Sequence, residues 1–259
     1  MFLSFDPGFE LSVLLILAGV AFLAGFIDAI AGGGGLLTLP ALLTVGLPPH
    51  LALGTNKLCA TFGSATAAFT FYRRKLFDPT HWRNALAGTA IGALLGALIA
   101  HWLPSQWLNQ LLPIVVFACG LYLLFAKTPT TIHSTDAPIA RKRQWPQGLS
   151  LGFYDGVAGP GTGAFWTVST LLMYPLDLVR ASGVARSMNF VSNACALSVF
   201  IFSGQVAWLV GLIMGLTLML GAYLGARTAI GGGAKFIRPV FILVVLALTL
   251  RLVWQHWLG

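Results

Sequence analysis

Long apolar runs separated by short polar stretches cover almost the whole chain. A membrane-spanning helix needs about 20 mostly apolar residues. The runs that meet or approach this length are Leu11–Ala31, Leu51–Tyr72, Ala85–Leu103, Leu108–Ala126, Val184–Phe202, Ala207–Ala226 and Phe236–Trp254. Two shorter runs, Leu36–Val45 and Ala164–Met173, each follow a glycine-rich stretch. The pattern predicts an all-α, polytopic membrane protein with about eight to ten transmembrane or re-entrant helical segments.

The composition agrees with a membrane location. Of 259 residues, 57% are hydrophobic and 8% are charged, whereas about 25% of residues are charged in soluble domains. Basic loops on the cytoplasmic face explain the formal net charge of +8 better than nucleic-acid binding does. The histidines and cysteines have none of the spacings of a metal site, and no nucleophile–base motif is present. We therefore predict a protein that is not an enzyme and has no cofactor, metal or nucleic-acid partner.

The chain contains an internal repeat. The stretch "GFIDAIAGGG" (25–34) matches "GFYDGVAGPG" (152–161), which aligns Asp28 with Asp155. Further along, Lys57 aligns with Arg186, and "GALLGA" (92–97) aligns with "GAYLGA" (221–226). We predict a first transmembrane repeat at residues 1–126, a linker at 127–147 and a second transmembrane repeat at 148–259.

The positions of the basic residues predict how the repeats are oriented. Clusters occur around residues 73–83, within 127–147, at Arg180 and around 227–238. If each half crosses the membrane an odd number of times, all of these clusters lie on one face, which should be the cytoplasmic face. The two repeats should then have inverted topology, with both termini outside and the 127–147 linker in the cytoplasm.

The two glycine-rich stretches indicate a substrate site. Lipid cannot satisfy exposed backbone groups, so a broken helix is tolerated only against protein or a watery cavity. Two such breaks at matching positions of inverted repeats are typical of the midplane site of a transporter. A helix that starts after each break presents free N–H groups and a positive dipole end, which favour an anion.

The residues around the first break resemble a known family. The stretch "GFIDAIAGGGGLLTLPALLTVGLPPHLALGTNK", with the second "GFYDGVAGPGTG", is similar to the TauE/SafE sulfite exporters, also called toluene-sulfonate uptake permeases, in their YfcA-like branch. The resemblance implies a multi-pass transporter of the bacterial inner membrane. It also implies a small anionic substrate that contains sulfur or is organic, in the class of sulfite, sulfonates and sulfoacetate.

Lys57 and Arg186 are the strongest candidates for binding an anion. A charged side chain at the bilayer centre costs roughly 2.5–3.5 kcal/mol on insertion scales, and such residues usually face a cavity. The alternative is that both side chains extend to the headgroups as anchors. Further candidates, which flank the basic pair or form the glycine-rich tips, are Asn56, Thr55, Asn189, Ser187, Gly33, Gly34, Gly161 and Thr162.

Two interpretations of Asp28 and Asp155 stay open. Burial favours the protonated form of a carboxyl group, so the pair could couple transport to protons. Alternatively, each carboxylate accepts hydrogen bonds from nearby backbone N–H groups and holds the glycine-rich break in shape.

We predict a secondary transporter that alternates access to a midplane site; a passive anion channel that uses the same basic residues is the alternative. The direction of transport, the coupling ion and the formation of a homodimer are open at this stage. It is also open whether the short runs cross the bilayer or re-enter it.

Overall fold

The computed structural model describes residues 9–108, 110–112, 114 and 141–257, with side chains described as far as residue 232 of the last helix. These residues form helices and turns, and no strand occurs among them. The helices are α1 Leu11–Ala31, α2 Gly35–Thr44, α3 Pro49–Arg73, α4 Arg83–Trp102, α5 Arg141–Val157, α6 Thr162–Met173, α7 Leu178–Phe202 and α8 Trp208–Trp257.

Several of these helices can span a bilayer. In the part of the chain that the structure describes, α1, α4, α7 and the Trp208–Gly232 portion of α8 are long and apolar enough to cross a membrane. Helix α3 covers the predicted run Leu51–Tyr72 and has 25 residues, but its polar side chains make it less apolar than those four. The prediction of an all-α, polytopic membrane protein is confirmed.

One predicted boundary is wrong. The runs Ala207–Ala226 and Phe236–Trp254 were expected to be separate segments, but both lie on the continuous helix α8. The glycines between them do not end the helix, because a glycine inside a helix costs only about 1 kcal/mol relative to alanine.

Other predicted segments fall partly beyond the described residues. The run Leu108–Ala126 lies almost entirely outside them, as do residues 127–140 of the predicted linker. Helix α5 begins at Arg141, so the last part of the 127–147 stretch is helical and continues into the second repeat.

The main helix pairs each combine one helix from the first half of the chain with one from the second half. Helix α1 packs along α8, and α5 packs along α4, while α3 and α7 contact each other between them. The first long helix of each predicted repeat therefore lies against the last long helix that the structure describes in the other repeat. Glycines permit this close approach: a Cβ atom on Gly25 of α1 would lie 2.1 Å from the carbonyl oxygen of Leu218. Likewise, a Cβ atom on Gly152 of α5 would lie 2.4 Å from the carbonyl oxygen of Thr89.

Candidate functional site

Helices α3 and α7 carry the two basic residues to equivalent depths. Pro49 begins α3, where a proline has no hydrogen bond to lose. The Asp177 side chain caps α7 by accepting a hydrogen bond from the Arg180 N–H, at 2.9 Å. Lys57 and Arg186 each lie about 12 Å from the first residue of their helix, at 1.5 Å per residue. Both side chains are fully buried, so neither extends to the surface as an anchor would.

The two glycine-rich breaks meet at the centre of the molecule. Helix α1 ends at Ala31 and is followed by Gly32, whose φ of 85° is left-handed, and α2 begins at Gly35. Helix α5 is followed by left-handed Gly159 and Gly161 before α6 begins. The Ala164 N–H donates to the Gly32 carbonyl oxygen at 3.2 Å. A Cβ atom on Gly32 would lie 2.3 Å from that nitrogen, so the contact requires a glycine.

Lys57 forms a buried ion pair with the carboxylate of the other half. Its Nζ donates to Asp155 Oδ1 at 2.8 Å and also to the Asp155 carbonyl oxygen. Two hydroxyl groups lie beside the carboxylate. The Ser192 hydroxyl donates to Oδ2. Thr162 Oγ1 lies 3.2 Å from Oδ1, but its shorter hydrogen bond, at 2.7 Å, goes to the Gly159 carbonyl oxygen. The Asp155 side chain is only 2% exposed. This pair joins α3 to α5 with every partner buried.

Arg186 faces the carboxylate of the first half at a longer distance. The nearest atoms, Arg186 Nη1 and Asp28 Oδ2, are 3.9 Å apart, and the Asp28 side chain is 14% exposed. The Gly34 N–H donates to Asp28 Oδ1 at 3.0 Å, so this carboxylate does hold the glycine-rich break. None of the three guanidinium nitrogens of Arg186 has a hydrogen-bond partner among the described residues. A fully buried cation is therefore left without a hydrogen bond.

Both carboxylates line a small cavity between the glycine-rich tips. Its volume is about 20 Å³, which has room for about one water molecule. Among the predicted site residues, those that line it are Asp28, Gly34, Asn56, Asp155, Gly161, Thr162 and Asn189. Lys57 and Arg186 do not line the cavity; each lies next to one of the two carboxylates.

Three predicted site residues lie elsewhere. Gly33 is not part of the cavity lining. Thr55 Oγ1 accepts a hydrogen bond from the Ala207 N–H at 2.9 Å, next to the start of α8. The Ser187 hydroxyl donates to the Gly183 carbonyl oxygen one turn earlier in its own helix. The sequence placed Thr55 and Ser187 beside the basic residues, but adjacent positions on a helix point in different directions.

The structure adds two polar residues that the sequence analysis did not select. The Thr38 hydroxyl donates to Asn56 Oδ1, and Ser192 donates to Asp155. The repeat alignment could have pointed to Ser192, because this polar residue aligns with Gly63 in the first half. In the same way Thr162 aligns with Gly35, so the two hydroxyl groups beside the carboxylate are present in the second half only.

Comparisons with known proteins agree with this architecture. The sequence profile described as "Sulfite exporter TauE/SafE" matches residues 17–252. A probable membrane transporter protein, ORF9, of a Sinorhizobium species is 40% identical, over 98% of this chain and 99% of that protein. The probable membrane transporter protein YfcA of Escherichia coli K12 is 37% identical, over 99% of this chain and 98% of its own length. No solved structure is significantly similar. The chain belongs to the TauE/SafE sulfite exporter family of membrane transporters.

Proposed function

We propose that the protein is a secondary transporter of a small oxyanion, in the class of sulfite, sulfonates and sulfoacetate, and that Arg186 is the main contact of the anion. The observation that supports the proposal is the state of this arginine. Its guanidinium group is fully buried and has no hydrogen-bond partner among the described residues. The nearest carboxylate oxygen is 3.9 Å away.

Electrostatics favour an anion as the partner of Arg186. Burying a charge without hydrogen bonds costs far more than burying a neutral polar group, so buried charges are normally paired and bonded. Asp28 balances the charge but does not satisfy the donors. A guanidinium group presents its N–H groups as a planar fork, which fits the oxygens of a carboxylate, sulfonate or sulfite in a bidentate way.

The Lys57–Asp155 pair has a different role in this proposal. It joins the two halves, and the contact between Gly32 and Ala164 joins the two tips. A cavity of about 20 Å³ is too small for sulfite, so the anion enters only when the tips separate. Rocking of one half against the other would break the ion pair on one side of the site and re-form it after passage, which is alternating access.

The carboxylates supply a route for coupling to protons. An anion that binds at Arg186 repels Asp28, and uptake of a proton by the displaced carboxylate removes that repulsion. Without protons, the anion gradient drives transport, and the inside-negative membrane potential adds about 2.3 kcal/mol per charge per 100 mV in favour of export.

Flux in proteoliposomes tests the proposal. Radiolabelled sulfite, sulfoacetate, acetate and phosphate are offered to the wild type, Arg186→Gln and Arg186→Lys, with and without a pH gradient. The control variant is Arg180→Gln, because Arg180 is an exposed residue of the same helix in a surface ion pair with Asp177. We expect saturable flux of a sulfur-containing anion in the wild type and the control. Arg186→Gln should abolish it, and Arg186→Lys should reduce it because a lysine keeps the charge but loses the fork.

Two outcomes contradict the proposal. Flux of the same anion with an unchanged KM in Arg186→Gln would remove Arg186 from the site. Flux that is not accelerated by unlabelled anion on the opposite side would indicate a channel instead of a transporter.

A further inference from the structure

A groove on the outside of the molecule ends at three arginines. It has a volume of about 720 Å³ and lies between the C-terminal part of α3 and the middle of α8. Arg73 and Arg74 stand at its end on the α3 side, and Arg227 stands opposite on α8. It is separate from the cavity between the glycine-rich tips, with which it shares no lining residue.

Aromatic rings hold two of these arginines in place. The Arg73 guanidinium lies 5.8 Å from the centre of the Phe69 ring. The Arg227 guanidinium lies 5.5 Å from the centre of the Tyr223 ring and donates to the Tyr223 hydroxyl at 3.0 Å. Such stacking fixes the direction of a guanidinium group while its N–H groups stay free for an anion.

The positive charge at this end is not balanced. The described ion pairs involve Lys57, His81, Arg180 and Arg186. No described carboxylate therefore pairs with Arg73, Arg74 or Arg227, and no acidic residue lines the groove. An anionic group that docks between the two walls meets three arginines and no repelling charge.

The rest of the groove is apolar. Phe69 is 60% exposed, and Ala65, Thr66 and Thr70 line the α3 wall beside it. The hydroxyl groups of Thr66 and Thr70 donate to carbonyl oxygens one turn earlier in α3, so they offer no free donor to the groove. An apolar trough with a cationic end matches a molecule that has a hydrocarbon chain and an anionic head.

The aligned positions in the other half carry no charge. Arg73 and Arg74 align with Phe202 and Ser203, and Arg227 aligns with Leu98. The packing of a repeat therefore does not require these arginines. They lie in a cluster that the positive-inside rule places at the cytoplasmic face, where anionic lipids attract basic residues.

From the unbalanced arginines and the apolar trough we infer that this groove binds an anionic phospholipid, with the lipid phosphate between Arg73 and Arg227 and an acyl chain along Phe69. The inference does not depend on the transported substrate. Each basic residue near an anionic headgroup contributes about 1 kcal/mol, which is about fivefold in affinity. Removing two of the arginines should therefore weaken binding about 25-fold.

Lipid titration of the full-length protein in detergent tests the inference. Native mass spectrometry measures binding of phosphatidylglycerol and of phosphatidylcholine, which has no net charge. The test variant is Arg73→Gln/Arg227→Gln, and the matched control is Arg180→Gln, an exposed arginine away from the groove. A parallel arm adds inorganic phosphate and glycerol phosphate as soluble competitors.

We expect the wild type and the control to bind phosphatidylglycerol at least tenfold more tightly than phosphatidylcholine. The double variant should lose this preference, and millimolar soluble phosphate should not displace the lipid. The inference is overturned if the wild type shows no preference, or if the double variant keeps it. It is also overturned if soluble phosphate displaces the lipid fully, which would indicate a site for a soluble anion. A wild type that shows no preference overturns the inference whether or not the double variant folds.

Discussion

The Lys57–Asp155 pair gives the sharpest quantitative prediction. Both side chains are at most 2% exposed, so removing one partner leaves the other charge buried. Breaking a buried ion pair in this way typically costs about 3–5 kcal/mol. We therefore expect Asp155→Asn to destabilise the protein by about 4 kcal/mol. Lys57→Met should cost less, about 2 kcal/mol, because the Ser192 hydroxyl still donates to the carboxylate.

The double variant Lys57→Met/Asp155→Asn carries no buried charge at this position. Its loss of stability should therefore be about 1 kcal/mol, far below the sum of the single losses. Thermal unfolding of purified protein in detergent measures all three variants. At roughly 2–4 °C per kcal/mol for a chain of this size, Asp155→Asn should lower Tm by about 10 °C and the double variant by only a few degrees.

Asp28→Asn tests the other buried cation in the same way. The aligned carboxylate is 3.9 Å from Arg186 and accepts one backbone hydrogen bond, which an asparagine oxygen can also accept. The substitution keeps that hydrogen bond but leaves the fully buried Arg186 without its counter-charge, so it should also cost about 3–5 kcal/mol. The interpretation of Lys57–Asp155 as a closed pair is refuted if the single losses add up in the double variant.

Two further substitutions, with Gly19→Ala as a control, test the packing of the site by the same thermal measurement. A Cβ atom on Gly163 would lie 2.5 Å from Arg186 Nη1 and 2.9 Å from Gly32 Cα, so Gly163→Ala should cost about 1–3 kcal/mol. Gly19→Ala, where nothing lies within 4 Å, should be neutral or stabilise by up to about 1 kcal/mol, and equal effects would contradict the contact between the tips. Thr38→Val removes the hydroxyl that donates to Asn56 Oδ1; we expect a loss of about 1–3 kcal/mol, and an unchanged Tm would mean that the amide finds another partner.

Local features of the sequence predicted most of the frame. An apolar run long enough to cross a bilayer folds as a helix because its backbone groups have no other partners in lipid. This holds for α1, whose bounds are those of the predicted run Leu11–Ala31. A run of glycines followed by an apolar stretch also marks a break by itself, as at Gly32. The prediction of a break inside α8 was wrong because the glycines there adopt helical geometry, whereas Gly32 has a positive φ.

The pairing of charges could not be predicted from the sequence. Asp28 and Lys57 lie in the same half, as do Asp155 and Arg186, yet each carboxylate faces the cation of the other half. This exchange follows from the packing of α1 on α8 and α5 on α4. No spacing within one half contains that information, because it depends on how two separate segments meet.

The aligned residues, in contrast, explain why the Lys57–Asp155 pair is closer than the Arg186–Asp28 pair. Ser192 donates to Asp155, and Thr162 Oγ1 lies 3.2 Å from Asp155 Oδ1. The aligned residues near Asp28 are Gly35 and Gly63, which have no side chain to donate.

Packing explains the glycine at position 63. A Cβ atom there would lie 1.8 Å from Leu218 Cδ2, so α8 occupies the space that a serine would need. Leu218 aligns with the smaller Thr89 of α4, and Gly63 aligns with Ser192. A glycine on α3 thus faces a leucine on α8, whereas the aligned positions on α7 and α4 hold a serine and a threonine. The serine hydroxyl therefore lies beside one carboxylate only. Such a hydrogen bond contributes about 0.5–1.5 kcal/mol, so the Ser192 donor favours the arrangement in which Asp155 is paired with Lys57, while Arg186 has no hydrogen-bond partner among the described residues.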